Sequence, residues 1–155
     1  MWTKEILFSS DKQDWSTPQA LFDEVNKEFA FTLDAAADET NAKCESFLTE
    51  KDDALVCDWP GVVWLNPPYG RGVGRWVEKA YEQSKMGSTV VCLIFCRTDT
   101  KWWHRWAMKA AEIRLIPGRI SFGAARGGAP APSCLLVFDD NRRVPRFLTQ
   151  ELPRR

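Results

Sequence analysis

The chain has 155 residues, the ordinary size of one domain, which is enough to bury a hydrophobic core without metal or disulfide staples. Hydrophobic residues make up 45% of the chain, which argues against wholesale disorder, and no apolar run is long enough to span a bilayer. The net charge is zero, yet residues 1–96 carry 9 Lys/Arg and 16 Asp/Glu, whereas residues 97–155 carry 12 and 5. This basic second part is suited to phosphate binding, and a scatter of charges over solvated faces explains it equally well.

The first predicted elements are a helix and two short strands. Ser16-Thr17-Pro18 is a typical helix start, and an apolar stripe follows at helical spacing, formed by Leu21, Phe22, Val25 and Phe29. Residues 31–34 (FTLD) and 62–66 (VVWLN) are predicted to be buried strands, with a loop and at most one short helix over residues 35–47.

The second half continues the alternation of helix and strand. The Gly-rich residues 70–74 are interpreted as a hinge and the start of a helix over residues 73–86. Residues 88–96 (STVVCLIFC) are a continuous apolar run, typical of a strand buried on both faces. Asp99 and Thr100 begin a helix that contains KWWHRWAMKAA. Later strands are predicted at residues 111–118, 119–123 and 134–140, and the polar residues after 140 are expected to be loosely held.

This order predicts one α/β domain over residues 1–155, with its core at about 15–140 and a mostly parallel central sheet flanked by helices. In such sheets ligands bind beyond the carboxyl ends of the strands. Asp34, Asn66 and Arg97 all fall at that edge of the predicted sheet.

The cysteines and the single histidine predict neither disulfides nor a metal site. The cysteines are odd in number and contain no C-x-x-C pair, so reduced and mostly buried thiols are expected at Cys44, Cys57, Cys92, Cys96 and Cys134. His104 has no carboxylate or cysteine at ligand spacing, which favours a structural role. The N-terminus does not resemble a signal peptide, so the expected compartment is the cytoplasm, with no membrane partner.

The strand at residues 62–66 ends in Asn66-Pro67-Pro68-Tyr69, which suits one specific chemistry. The exocyclic amine of adenine is a poor nucleophile, because its lone pair is delocalised into the ring. The side-chain oxygen of Asn66 and the backbone carbonyl of Pro67 can accept hydrogen bonds from both amine hydrogens and so localise that lone pair. The prolines fix the backbone and remove competing donors, while Tyr69 offers a face for stacking. The alternative is a plain proline turn.

NPPY resembles the catalytic motif of S-adenosylmethionine-dependent amino-group methyltransferases. The surrounding sequence, from residue 15 to 138, resembles the phage-type DNA N6-adenine methyltransferases, the Dam family. The segments that carry the resemblance are WSTPQALFDEVNKEFAFTLDAAADETNAKC, DDALVCDWPGVVWLNPPYG, RTDTKWWH, PGRISF and APSCLLVF. It implies a Rossmann-like class I methyltransferase fold with S-adenosylmethionine as cofactor, no metal, and double-stranded DNA as partner.

The resemblance also implies roles for matching positions. Asn66, Pro67 and Tyr69 would bind the flipped adenine, and Pro68 would shape the loop. LDAAA occupies the place of the first cofactor motif, yet it lacks the usual glycine, which alanine can replace only where φ is negative. Asp53 is preferred to Asp58 as a contact to the cofactor's adenine or ribose. The implied cofactor-binding residues are Trp15, Thr17, Pro18, Asp34, Ala35, Ala36 and Asp53.

The candidates for contact with the target base or DNA lie in the second half of the chain. Trp103 and Trp106 are expected in the core, whereas basic residues of the same helix are candidates for DNA contact. Arg126 is the tip of the flexible-looking insert at residues 123–132, which is equally well explained as a connection without a role. The full set is Phe122, Arg97, Lys101, Arg105, Arg119 and Arg126.

The sequence therefore favours an enzyme that methylates N6 of adenine in DNA. A short or loosely specified target is expected, because the chain leaves no room for a separate recognition domain. The alternatives are a catalytically degenerate DNA-binding module, or methylation of cytosine N4, RNA or protein glutamine. The family resemblance implies phage DNA protected from restriction in a bacterial host cell, while the sequence is silent on target site and oligomeric state.

Overall fold

The structure is a computed structural model that describes residues 16–122, 128–142 and 146–152. In this part of the chain one six-stranded sheet is flanked by helices, which confirms the predicted α/β class. The helices are α1 (Gln19–Phe29), α2 (Val73–Lys85) and α3 (Lys101–Arg105). The strands are β1 (Leu33–Asp34), β2 (Val62–Leu65), β3 (Thr89–Phe95), β4 (Glu112–Leu115), β5 (Ser133–Phe138) and β6 (Arg146–Thr149).

The predicted mostly parallel sheet is not confirmed, because the sheet is mixed. Its order is β1-β2-β3-β5-β4-β6, and β1, β2 and β3 run parallel to one another. Strand β5 runs antiparallel to both neighbours, while β4 and β6 are parallel. The described residues between β4 and β5 form no helix, and a parallel return to the sheet needs a long crossover, usually helical.

Apolar side chains on both faces of the sheet hold the three layers together. Along β3, Val90, Cys92 and Ile94 face α2 and α3, whereas Val91 and Leu93 face α1. This alternation of two buried faces explains why the strand is apolar without interruption. The stripe predicted on α1 is buried as expected, at Leu21, Phe22, Val25 and Phe29.

Helices α2 and α3 meet where the chain is glycine-rich. Helix α2 begins at Val73, as predicted, and Gly74 lies so close to α3 that an added Cβ would be 2.8 Å from the Trp102 side chain. The α3 helix is shorter than expected, because after Arg105 the chain tightens into a 3₁₀ turn over Ala107–Lys109. Thr100 caps α3 by accepting a hydrogen bond from the backbone of Trp103.

Side-chain burial confirms some expectations and corrects others. Trp103 is buried as predicted, whereas Trp106 is half-buried beneath the Lys109 ammonium. His104 is exposed and binds the backbone carbonyl of Thr98 through its ring Nε2. All five cysteines are free, but only Cys92 and Cys134 are buried, so the expectation of mostly buried thiols was wrong. Within the described ranges no helix is long and apolar enough to cross a membrane.

Two segments differ from the predicted elements. Residues 119–122 are not a strand, and among the described residues the backbone hydrogen bond of this segment across the loop runs from Ala129 N–H to Ile120 O. Phe122 is nevertheless buried beside β3. No element was predicted after residue 140, yet β6 pairs with β4 at the edge of the sheet.

A buried carboxylate joins β4 to β6 and α1. Glu112 is 1% exposed, and its oxygens accept hydrogen bonds from Arg114, Arg142 and Arg146. Arg114 also forms a two-pronged ion pair with Glu28 of α1, with N–O distances of 2.7 and 2.8 Å. Burial opposes ionisation of Glu112, but the three guanidinium groups hold its pKa below its ordinary value.

We expect Glu112→Gln to lower the free energy of unfolding by about 3 kcal/mol at pH 7, because it leaves three arginines around a neutral group. Urea denaturation measures this change. Because the folded-state pKa is depressed, the deficit is full above the unfolded value near 4.5 and disappears as pH falls through the folded pKa.

The matched control is Glu24→Gln, which removes an exposed ion pair with Lys27 one turn along α1. Such an exposed pair is screened by solvent and contributes little to stability. Equal losses in the two variants would contradict the structural role of the Glu112 network.

Candidate active site

A cavity of about 690 Å³ lies at the carboxyl edge of β1 and β2. Asp34 is the last residue of β1 and Asn66 directly follows β2, so the parallel pairing of these strands brings the two side chains to one pocket. Residues 48–50 and 53–55 form another part of the wall, and Thr17, just before α1, also lines the pocket. The site predicted at this edge of the sheet therefore coincides with a cavity of small-molecule size.

The Asn66 amide is held between two hydroxyl groups. Its Nδ2 donates to Thr17 Oγ1 at 3.1 Å, and its Oδ1 accepts from the Tyr69 hydroxyl at 3.1 Å. The same hydroxyl lies 3.3 Å from the backbone oxygen of Leu93 in β3. Pro67 and Pro68, both lining the pocket, connect Asn66 to Tyr69 without a backbone N–H. The amide oxygen is thus presented at the start of the proline turn.

The Tyr69 ring is fixed by two phenylalanines. It stacks on Phe95 at a centroid distance of 4.3 Å and meets the Phe122 ring edge-on at 6.0 Å. Burial raises the pKa of the Tyr69 phenol far above its ordinary value, so the hydroxyl remains a neutral donor. Phe122 is 1% exposed and supports Tyr69 from behind instead of lining the large cavity.

Asp34 is a buried carboxyl group with backbone partners. It is 3% exposed, and its oxygens accept hydrogen bonds from the backbone N–H groups of Ala36 at 3.3 Å and Lys43 at 3.0 Å. Burial raises the pKa of Asp34 to about 6, and the two N–H groups oppose that rise. A desolvated carboxyl group open to a cavity is suited to a positively charged ligand.

The loop after Asp34 adopts its conformation without glycine. Ala35 is fully buried, and its N–H donates to the carbonyl of Trp64 in β2 at 3.0 Å. Neither Ala35 nor Ala36 has a positive φ, so both alanines fit the backbone without strain. Their small side chains leave the cavity open beside the loop.

Two acidic residues of this wall, Glu50 and Asp53, line the cavity, and only Asp53 was predicted from the sequence. Asp53 lines the cavity and has a left-handed backbone with φ 50°, whereas Asp58 is not among the lining residues. Glu50 also lines the cavity and was missed. Its signal is the capping box of Thr49 and Asp52, in which each side chain bonds the other's backbone and so fixes the turn that carries Glu50.

The structure brings most of the predicted site residues together and leaves others apart. Those that line the large cavity are Thr17, Asp34, Ala35, Ala36, Asp53, Asn66, Pro67, Pro68 and Tyr69. Those that do not line it are Pro18, Phe122, Arg97, Lys101, Arg105 and Arg119. Trp15 and Arg126 lie outside the described residues.

The basic residues predicted to contact DNA do not line this cavity. Arg97 lies 3.6 Å from Asp99 and lines a second cavity of about 260 Å³, which shares Tyr69 with the first. Lys101, Arg105 and Arg119 are exposed. Among the described residues no group of three or more His, Cys, Asp or Glu side chains is arranged to hold a metal ion.

Known proteins of one family match most of the chain. The family model described as DNA N-6-adenine-methyltransferase (Dam) matches residues 6–140. The DNA N-6-adenine-methyltransferase of Haemophilus phage HP1 is 37% identical over 149 residues, covering 90% of this chain and 86% of that protein. The protein of the same name from Escherichia phage T1 is 35% identical over 102 residues, covering 64% of this chain but only 42% of that protein. The chain belongs to the DNA N-6-adenine-methyltransferase (Dam) family.

Proposed function

We propose that the protein transfers a methyl group from S-adenosylmethionine to N6 of a flipped-out adenine in DNA. The observation that carries the proposal is the Asn66 amide oxygen, presented by a proline turn in the same cavity as the buried carboxyl group of Asp34. Family membership supports the same reaction. In this proposal the sheet is the core of a Rossmann-like class I methyltransferase fold, with β1, β2 and β3 as its parallel half.

The cavity fits S-adenosylmethionine in size and charge. Its volume of about 690 Å³ is within the range of small-molecule sites. The lining carboxyl groups of Asp34, Glu50 and Asp53 match a ligand that carries an ammonium, a sulfonium and ribose hydroxyls. Asp34 would pair with the ammonium, while Glu50 and Asp53 would accept from the hydroxyls or the adenine amine. When bound, the cofactor supplies a methyl group on a positively charged sulfur.

Asn66 and Pro67 would prepare the nucleophile. The amide oxygen of Asn66 and the carbonyl of Pro67 would each accept a hydrogen bond from the adenine amine, which localises the nitrogen lone pair. Alignment of that lone pair with the reactive methyl group then contributes much of the rate. Tyr69 would stack on the base, with Phe95 and Phe122 holding its ring. The base must leave the duplex to reach this turn.

The charge of the cavity favours entry of a neutral base over entry of the DNA phosphates. Several carboxyl groups line the cavity, and they repel phosphates but admit a neutral base together with a cationic cofactor. The exposed Lys101, Arg105 and Arg119, with the half-exposed Arg97, are our candidates for the phosphate contacts. Arg114, Arg142 and Arg146 are poor candidates, because Glu112 already pairs with them.

The decisive assay is transfer of labelled methyl from S-adenosylmethionine to unmethylated duplex DNA, followed by nucleoside analysis. We expect label in N6-methyladenine for the wild type. Asn66→Ala should lower kcat at least about 100-fold, because removal of a preorganised acceptor costs on that scale. Cofactor affinity should change little.

The assay also separates the other readings of the sequence. Label in N4-methylcytosine would redirect the proposal to that base. DNA binding without any label would identify a binding module and refute the enzymatic proposal. A fully active Asn66→Ala variant would remove Asn66 from the reaction.

A pH dependence follows from Asp34. Its pKa of about 6 in the free protein means that the carboxyl group loses its charge as pH falls through 6. We therefore expect the affinity for S-adenosylmethionine to fall below pH 6, by up to about tenfold per pH unit, as measured by calorimetry. The same raised pKa makes the ionised group destabilising in the free protein at neutral pH, and pairing with a cation relieves that cost.

Asp34→Asn should bind the cofactor weakly and without a transition near pH 6. The matched control is Asp38→Asn, because Asp38 lines the same cavity but is exposed, and hydrogen bonds from Thr40 hold its pKa below the ordinary value. That variant should keep the transition near pH 6. Loss of the transition in both variants would contradict the assignment to Asp34.

A further inference from the structure

Thr17 is placed to act on Asn66 as well as to line the cavity. It is 5% exposed, and it lies just before α1, 49 residues from Asn66 in the chain. Its Oγ1 accepts the hydrogen bond from Asn66 Nδ2 at 3.1 Å. Because this buried hydroxyl contacts the side chain that would bind the substrate's amine, Thr17 can affect the methyl transfer through Asn66.

The orientation of the Asn66 amide decides whether the proposed reaction is possible. One end of the amide is an acceptor and the other is a double donor. A half-turn about the terminal torsion of Asn66 would exchange the two ends with almost no change in shape. The base amine would then face an NH₂ group, and two donors repel each other. The reaction therefore needs the oxygen held toward the base.

We propose that Thr17 is a positioning residue that holds the Asn66 amide with its oxygen toward the substrate; this inference rests on the proposed function. In the structure the nitrogen end is bound by Thr17 and the oxygen end by the Tyr69 hydroxyl. When the adenine amine arrives it takes the oxygen, and the Tyr69 hydroxyl can donate instead to Leu93 O, 3.3 Å away. The Thr17 bond persists through that exchange.

This role differs from the cofactor contact that the family resemblance implies for Thr17. A cofactor contact would affect the dissociation constant for S-adenosylmethionine and leave kcat intact at saturation. A positioning role affects kcat and leaves the dissociation constant and the KM for DNA unchanged. Thr17→Val removes the hydroxyl and keeps the shape, while Thr17→Ser restores the hydroxyl.

The experiment measures kcat, KM for duplex DNA and the cofactor dissociation constant for these two variants. We expect Thr17→Val to lower kcat about tenfold, the effect of one ordinary hydrogen bond, with both binding constants within about twofold. Thr17→Ser should recover kcat to within about threefold. Thr89→Val is the matched control, since Thr89 begins β3 at the end of the sheet opposite the cavity, and it should match wild type.

A second readout does not depend on activity. The side-chain amide resonances of Asn66 in ¹⁵N-labelled protein, assigned by their loss in Asn66→Asp, report the Thr17 hydrogen bond directly. They should shift in Thr17→Val and return toward the wild-type position in Thr17→Ser. If Thr17→Val fails to fold, Thr17→Ala takes its place in both measurements.

Two results would overturn the inference. One is a weakened cofactor dissociation constant with unchanged kcat at saturation, which would make Thr17 a cofactor contact alone. The other is an unchanged Asn66 amide in every variant that lacks the hydroxyl. If wild type methylates no DNA, the proposed function fails, and the amide resonances still decide whether Thr17 holds Asn66.

Discussion

The parallel register of β1, β2 and β3 is the constraint on which the rest of the site depends. Asp34 pairs with Trp64, and Leu65 pairs with Cys92, so Asn66 emerges just beyond the end of β1 and level with Leu93, in the last part of β3. Polar groups that end inside an apolar sheet edge are costly unless they are hydrogen-bonded. Asp34 finds two backbone N–H groups, and the Asn66 amide finds two hydroxyls. The register thus determines which groups must satisfy one another.

The turn after β2 is rigid for a combination of reasons. Two consecutive prolines fix the backbone, and the Tyr69 ring is packed against Phe95 and Phe122. The hydroxyl of Tyr69 then reaches both Asn66 and the backbone of β3. An acceptor fixed by covalent geometry on one side and by packing on the other needs little reorganisation when a base arrives, and this preorganisation is what lowers a barrier.

Local sequence patterns predicted the elements that have their own apolar periodicity or start signal. They failed at the edge of the sheet, where contacts between distant residues determine the structure. The apolar run of β3, the stripe of α1 and the start of α2 were all readable from the chain. The β4–β6 edge was not, because Glu112 and Arg114 look like an exposed charged alternation until Glu28, 86 residues from Arg114, is brought beside them. The family resemblance indicated which residues would bind the cofactor. It did not indicate the contact between Thr17 and Asn66, which are 49 residues apart in the chain.

The Glu112 ion-pair network changes the interpretation of the basic residues in the second part of the chain. Residues 97–155 carry 12 Lys/Arg and 5 Asp/Glu, which from sequence alone fits phosphate binding and charges scattered over solvated faces equally well. Three of those arginines are bound to Glu112, and Arg114 is bound to Glu28 as well, so their charges are largely neutralised within the fold. The cavity itself is acidic. In the proposed function, the exposed cations outside the cavity therefore bind the phosphates. The acidic cavity favours the neutral base, flipped out of the duplex, over the phosphates of its backbone.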